Sequence, residues 1–216
     1  MQEAWTTLQR GGIMMIPLVI SSIIALAIII ERSISLRRKK VLIPEIINVI
    51  ETLQRPEDIH LAISICNKNK GAFANIIMLG LENSDLDKAE LKELIEEQGR
   101  QEVRELEKGL AMLETIAGIA PLMGLLGTVL GMVSVFTVIT EKGIGQAQLL
   151  SGGIAEALIT TVAGLFIGIP ALFMYNYFTH KAENFILDIE KFTSTLIRKL
   201  NRFKSPAQPL KNRNEE

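Results

Sequence analysis

Three apolar runs, each long enough to cross a bilayer, keep the hydrophobic residues of this chain apart from its charges. They cover residues 13–30, roughly 115–139 and roughly 152–177, while the segments between and after them are dense in Lys, Arg, Asp and Glu. Of 216 residues, 48% are hydrophobic and 22% charged. A water-soluble chain of that composition would mix the two along each helix to give one dry and one wet face. Segregation on this scale predicts an all-α polytopic membrane protein with three transmembrane helices, the second and third extended into a cytoplasmic helical bundle.

The expected order is a short periplasmic N-terminus (1–12), a first transmembrane helix (13–30), a cytoplasmic helical region (31–110), a second transmembrane helix (111–139), a periplasmic loop (140–151), a third transmembrane helix (152–178), a cytoplasmic helix (179–204) and a disordered tail (205–216). The first run differs from a secretory signal: it is too long, and Glu31-Arg32 stands where small cleavage-site residues belong. Pro17 falls in its first turns, where a missing backbone donor is tolerated. Arg32, Arg37, Arg38, Lys39 and Lys40 follow the run, and Lys181, Lys191, Arg198, Lys199, Arg202 and Lys204 follow the third. By the positive-inside rule both clusters lie in the cytoplasm, which puts the N-terminus outside and makes this a multi-pass membrane protein. The first cluster serves as a topology anchor in contact with membrane lipids.

Between the first two runs the pattern is helical. Pro44 and Pro56 sit near helix starts, Asn69-Lys70-Gly71 reads as a turn, and Ser84-Asp85 can cap a helix beginning near Leu86. Leu91, Leu94, Ile95, Leu106, Leu110 and Leu113 then recur at helical spacing among charges that form a solvated face. No strong stop intervenes, so this helix is expected to continue into the second span, with Gly99 and Gly109 as its weak points.

Several function classes fall away. A formal net charge of -1 without any basic, aromatic-interleaved module argues against nucleic acid as a partner. One cysteine, Cys66, excludes an internal disulfide, and with two histidines, His60 and His180, a zinc cluster has too few ligands. No nucleophile–base pair, phosphate loop or cofactor motif supports an enzyme.

What stands out is Glu156, the only charged side chain between Lys142 and His180. A carboxylate within a span is unfavourable by about 2.5–3.5 kcal/mol at the bilayer centre, less near an interface, and such residues face a bundle interior or a water path. Small residues surround it. Ala117, Ala120, Gly124, Gly127, Thr128, Gly131 and Ser134 fall within one face of roughly 120° on the second span. Gly153, Ala157, Thr160, Thr161, Gly164, Gly168 and Ala171 do the same on the third, with Glu156 and Thr161 near opposite edges. For the glycines, helix packing is sufficient explanation, because lipid gives helices no hydrophobic reason to associate. Pro121 and Pro170 are expected to bend the spans where these faces meet. Glu156 itself has two readings: it snorkels to the interface, or it borders a proton path in which Thr128 and Thr161 relay hydrogen bonds. Threonines in membrane helices also bond back to their own backbone, so the hydroxyls do not decide between them.

The segment Ala120-Pro121-Leu122-Met123-Gly124-Leu125-Leu126-Gly127-Thr128-Val129-Leu130-Gly131-Met132 resembles the second-helix signature of the ExbB/TolQ/MotA proton-channel family. Gly153-Ile154-Ala155-Glu156-Ala157-Leu158-Ile159-Thr160-Thr161, followed by Gly164-Leu165-Phe166 and Ile169-Pro170-Ala171, resembles its third-helix signature. The resemblance implies a homopentameric ring around the transmembrane helices of an ExbD/TolR-type dimer, with protons crossing beside an aspartate of that partner. Thr128, Glu156 and Thr161 carry over as pore-lining groups, while Thr160 is an additional hydroxyl without an assigned role. Leu130 stands where an aromatic is common, and Glu114 adds a carboxylate near the cytoplasmic entrance.

Within the family, an ExbB-like subunit working with a TonB-like protein is the expected role, and a TolQ-like subunit working with a TolA-like protein is the alternative. A MotA-like role fits less well, since that branch resembles a four-span layout. Outside it, a non-conducting membrane scaffold remains, distinguished by indifference to Glu156→Gln. A secondary transporter would carry internal repeats and broken helices, and neither is seen.

Overall fold

The computed structural model describes residues 11–143 and 147–204. Among the described residues every element is a helix: α1 (Met15–Ser35), α2 (Arg38–Val41), α3 (Pro44–Thr52), α4 (Asp58–Lys68), α5 (Ala72–Glu82), α6 (Lys88–Glu107), α7 (Leu110–Lys142) and α8 (Ala147–Lys204). The expected tail, 205–216, and most of the N-terminal segment lie outside the described residues. Three helices, α1, α7 and the first part of α8, are long and apolar enough to cross a membrane. The protein is an all-α polytopic membrane protein.

The chain forms two compact units, one of Met1–Ser33 with Gly109–Thr179, the other of Ile34–Lys108 with His180–Glu216. In the first unit, Met15 and Leu18 of α1 are buried with Ala120 of α7, and Met123, Ala163 and Ile167 pack around them. Only 22–28% of the residues in each apolar stretch are buried. Ile20, Leu122, Phe166 and Phe173 are among the large side chains left on the outside. In water such a surface would drive aggregation; in a bilayer it meets acyl chains or a neighbouring protein. Pro17 falls within the first turn of α1 and Ser21 Oγ donates to its carbonyl at 2.8 Å. Both α7 and α8 continue through their internal prolines, Pro121 and Pro170.

The second unit is held by larger side chains. Phe73, Ile77 and Leu81 of α5 are fully buried or nearly so, and the rings of Phe73 and Phe192 lie 5.8 Å apart. Gly80 permits a close approach here, since a Cβ would meet Ile95 Cδ1 at 3.0 Å and Leu196 Cδ2 at 3.1 Å. The Asp58 carboxylate accepts from the backbone N–H groups of Gln54 (3.1 Å) and Arg55 (2.9 Å), which hold its pKa below the ordinary value. Cys66 is buried, and desolvation pushes its thiol up to about 11.

Three local expectations change. The helix expected to run unbroken into the second span is interrupted. α6 ends at Glu107, Gly109 takes a left-handed φ of +75°, and α7 starts at Leu110. A glycine adopts that conformation without steric penalty, so the position that weakened the pattern is where the helix breaks. The start of α6 also moves. Leu86 N–H bonds to Asn83 in a turn at 3.1 Å, and Asp87 caps the helix by accepting from Ala89 N–H at 3.3 Å. Finally, Glu102 departs from the solvated face. It is buried and accepts from Asn75 Nδ2 at 2.8 Å and Gln98 Nε2 at 2.9 Å.

Candidate functional site

The small-residue faces of α7 and α8 meet each other in antiparallel register. A Cβ on Gly124 would lie 3.0 Å from the Thr160 carbonyl, 3.1 Å from Thr161 Cα and 3.3 Å from Gly164 Cα. One on Gly164 would lie 2.5 Å from the Ala120 carbonyl and 3.0 Å from Gly124 Cα. Further along, Gly131 faces Ala157 and the Gly153 carbonyl, Gly153 faces Val135, and Gly168 faces the ring of Pro121. Most of these neighbours are backbone or short side chains that cannot swing away. Backbones that close leave room for glycine and little else, and dispersion between them does what hydrophobicity cannot do in lipid.

Gly127 opposes Thr160, so tightly that a Cβ there would overlap the threonine side chain. Thr160 is fully buried. Its hydroxyl lies 2.7 Å from the Glu156 carbonyl, one turn back on α8, and 3.1 Å from the Gly11 carbonyl. A hydroxyl carries one proton, so this single donor is shared between two acceptors.

Thr161, the next residue, also turns toward α7. Its hydroxyl donates to the Gly124 carbonyl at 3.0 Å and links the two helices directly. Thr128 bonds back to its own helix, donating to the Leu125 carbonyl at 2.6 Å. Glu156 is half-buried, and its carboxylate rests against Gly12, where a Cβ would overlap Oε1. Gly12 has φ +65°, a left-handed conformation suited to glycine.

The structure therefore places Thr161 at the α7–α8 crossing, with Thr128 and Glu156 each turned to a different neighbour. Among the described residues no hydrogen bond links these three side chains to one another. The chemical capacity of the arrangement is that of two hydroxyls and one carboxylate on otherwise apolar helices: groups that hold or pass a proton. No cluster of three or more His, Cys, Asp or Glu side chains suited to a metal occurs among the described residues. His180 lies exposed, 3.2 Å from the Glu183 carboxylate.

Sequence reasoning missed Gly11, Gly12 and the placement of Thr160. The one available signal was the Gly-Gly pair immediately before the first apolar run, which forms no regular helix and allows close approach to another backbone.

The sequence model of the MotA/TolQ/ExbB proton channel family matches residues 68–191, which include α7, Thr128, Glu156 and Thr161. The chain is 42% identical over 87 residues to the biopolymer transport protein ExbB of Aquifex aeolicus, covering 40% of this chain and 59% of that one. It is 30% identical over 175 residues to the putative biopolymer transport protein ExbB-like 3 of Synechocystis, covering 78% of this chain and 81% of the relative. It is also 37% identical over 101 residues to the Tol-Pal system protein TolQ of Haemophilus influenzae, covering 45% of this chain and 44% of that one. Against ExbB of Xanthomonas campestris the chain spans 38% of the relative's length.

Proposed function

The chain belongs to the MotA/TolQ/ExbB proton channel family, and from that premise we propose that it is an ExbB-like inner-membrane subunit that uses proton motive force, with an ExbD-type partner, to energise TonB-dependent outer-membrane transport. The observation that carries this reading is Glu156. It is a carboxylate within an apolar helix pair, beside two threonines, inside the segment shared with the family. A group of that kind persists in lipid when it faces a protein interior or water. Two hydroxyls and a carboxylate from one protomer do not enclose a path. The unsatisfied apolar faces of α1, α7 and α8 and the incomplete path both favour a ring of copies, a homopentamer, closing around the transmembrane helices of a partner dimer. The basic clusters after the first and third spans favour a cytoplasmic C-terminus and a periplasmic N-terminus.

In this mechanism the partner aspartate receives the proton while Thr128, Glu156 and Thr161 line its approach. Thr161 is already engaged with Gly124, so its contribution is to hold the crossing; Thr128 reaches a bound partner by giving up its bond to Leu125, and Glu156 lines the approach from its place against Gly12. The test is proton flux in liposomes holding the chain with its ExbD/TolR-type partner. Glu156→Gln is expected to lower flux at least tenfold with the complex intact; unchanged flux would put the non-conducting scaffold in its place.

The identity to Haemophilus TolQ supports a second reading, a TolQ-like subunit for envelope maintenance and division. Copurification with a TonB-like protein or with a TolA-like protein separates the two.

A further inference from the structure

We propose that the Gly11–Gly12 segment is the seat of the Glu156 carboxylate and that Thr160 fastens this seat to α8, which makes Gly12 and Thr160 positioning residues for Glu156. The functional consequence rests on the proton-path reading above; the seat itself rests on geometry.

Two independent features require glycine at position 12. Its φ of +65° is one that side-chain-bearing residues rarely adopt. Its missing side chain also leaves the space that Glu156 fills. A Cβ there would overlap Oε1, and would sit 2.8 Å from the carboxyl carbon and 3.3 Å from Cγ. The carboxyl group therefore points Oε1 into the space that a Gly12 side chain would take.

The fastening is the shared Thr160 hydroxyl. It reaches the Gly11 carbonyl at 3.1 Å and the carbonyl of Glu156 itself at 2.7 Å. One side chain thus ties the residue before the seat to the helical turn that bears the carboxylate. Thr160 cannot drift, because it is fully buried and Gly127 of α7 closes over it. Gly11 is held as well. A Cβ there would meet Met15 Sδ at 2.7 Å and Ile159 Cγ2 at 3.4 Å, which places its backbone between α1 and α8. Residues 156, 159 and 160 of α8 together form a surface on which residues 11 and 12 lie.

The consequence is a fixed orientation. Held on Gly12, the carboxylate is turned from Thr161, which bonds to the Gly124 carbonyl elsewhere on the crossing. Loosening the seat frees Glu156 to sample other rotamers and changes its hydrogen-bonding environment; it alters no other polar group of the path. Thr160, the hydroxyl that the family signature leaves without a role, gains one as the clasp.

The experiment uses the full chain coexpressed with its ExbD/TolR-type partner and reconstituted in liposomes. The acid-induced infrared C=O stretch of Glu156 is assigned by its disappearance in Glu156→Gln. Gly12→Ala and Thr160→Val are expected to shift or broaden that band and to reduce proton flux, while Thr160→Ser, which keeps the hydroxyl, retains the band and most of the flux. Complexes of native mass in which Gly12→Ala and Thr160→Val both show the wild-type band would overturn the seat. Should Gly12→Ala not assemble, Thr160→Val decides, since it exchanges a hydroxyl for a methyl at nearly constant volume. The two proposals fail separately: flux retained in Glu156→Gln removes the proton path, whereas flux lost there with the band unmoved in every seat variant that assembles removes the seat alone.

Discussion

Where α7 crosses α8 in the first unit, the contacts are made by Gly124, Gly127, Gly131, Gly153 and Gly164. Where α5 and α6 pack with the end of α8 in the second, they are made by Phe73, Ile77, Leu91, Ile95 and Leu196. The same helix, α8, takes part in both. In water, removing a large apolar side chain from solvent drives packing, and bulk is rewarded. In lipid that drive is absent, and helices associate as closely as their backbones permit. The two units also bury acid side chains differently. Glu102 is satisfied by two amide donors, whereas Glu156 rests on a glycine backbone. The first arrangement stabilises a fold; the second, on the reading proposed above, leaves a group available for exchange.

The largest test of this contrast replaces a crossing glycine. Gly164→Leu would drive its side chain into the Ala120 carbonyl and Gly124 Cα, neither of which can yield. It is expected to abolish the α7–α8 association, seen as loss of resistance to SDS-driven unfolding in mixed micelles. Gly118→Leu on α7, an exposed position turned away from the crossing with nothing within 4 Å, is the control and should unfold like the parent chain. Equal damage from both would mean that close packing is not what joins these helices.

The converse test belongs to the second unit. Phe73 is fully buried against Phe192, so Phe73→Ala should destabilise by about 3–5 kcal/mol, the range for emptying an aromatic site in a core. Chemical denaturation of the full chain reads it. An effect below about 1 kcal/mol would show that this region collapses around the gap instead of behaving as a close-packed core.

These residues also show how far the sequence could be read. The three spans were legible because hydropathy over about 20 residues is a strong and local signal. The glycine faces were legible because their period is helical. The break at Gly109 was less so: a glycine in a helical pattern marks a weak point, and only its φ of +75° shows that the chain turns there. Asp87 lost to Ser84-Asp85 in the reading because a cap depends on which of several adjacent polar residues closes a turn. Glu102 and the Gly12–Glu156 contact were out of reach for a different reason. Each joins residues far apart in the chain, and no periodicity reports such a pairing.

A smaller effect is expected at Glu102. Glu102→Ala removes the acceptor of two hydrogen bonds, from the Asn75 and Gln98 amides, and at about 0.5–1.5 kcal/mol for each should destabilise by about 1–3 kcal/mol. The double variant Asn75→Leu with Glu102→Leu removes one donor together with the acceptor, leaves the half-buried Gln98 amide to find water, and should be no worse than the single one. If the double variant is worse than the single one, the network contributes more than its pairwise bonds.

The smallest effect falls on the two threonines, and it separates packing from conduction. Thr161 links α8 to α7 through the Gly124 carbonyl, so Thr161→Val should lower stability by about 0.6–1.7 kcal/mol, from the average to the largest value for hydrogen bonds between membrane helices. Thr128 donates to Leu125 within its own helix, and that bond joins nothing across the crossing. Thr128→Val should therefore leave SDS-driven unfolding within about 0.5 kcal/mol of the parent chain, as for a substitution that breaks no tertiary contact. Proton flux then gives the sharper reading. Loss of flux in Thr128→Val at unchanged stability assigns that hydroxyl to the path, because its structural contribution is local. Loss of flux in Thr161→Val is expected to track its loss of stability, because the same hydroxyl holds the crossing together. Flux that survives in both would leave Glu156 as the one polar group on which conduction depends, and would make the hydroxyls part of the packing that distinguishes this unit from the other.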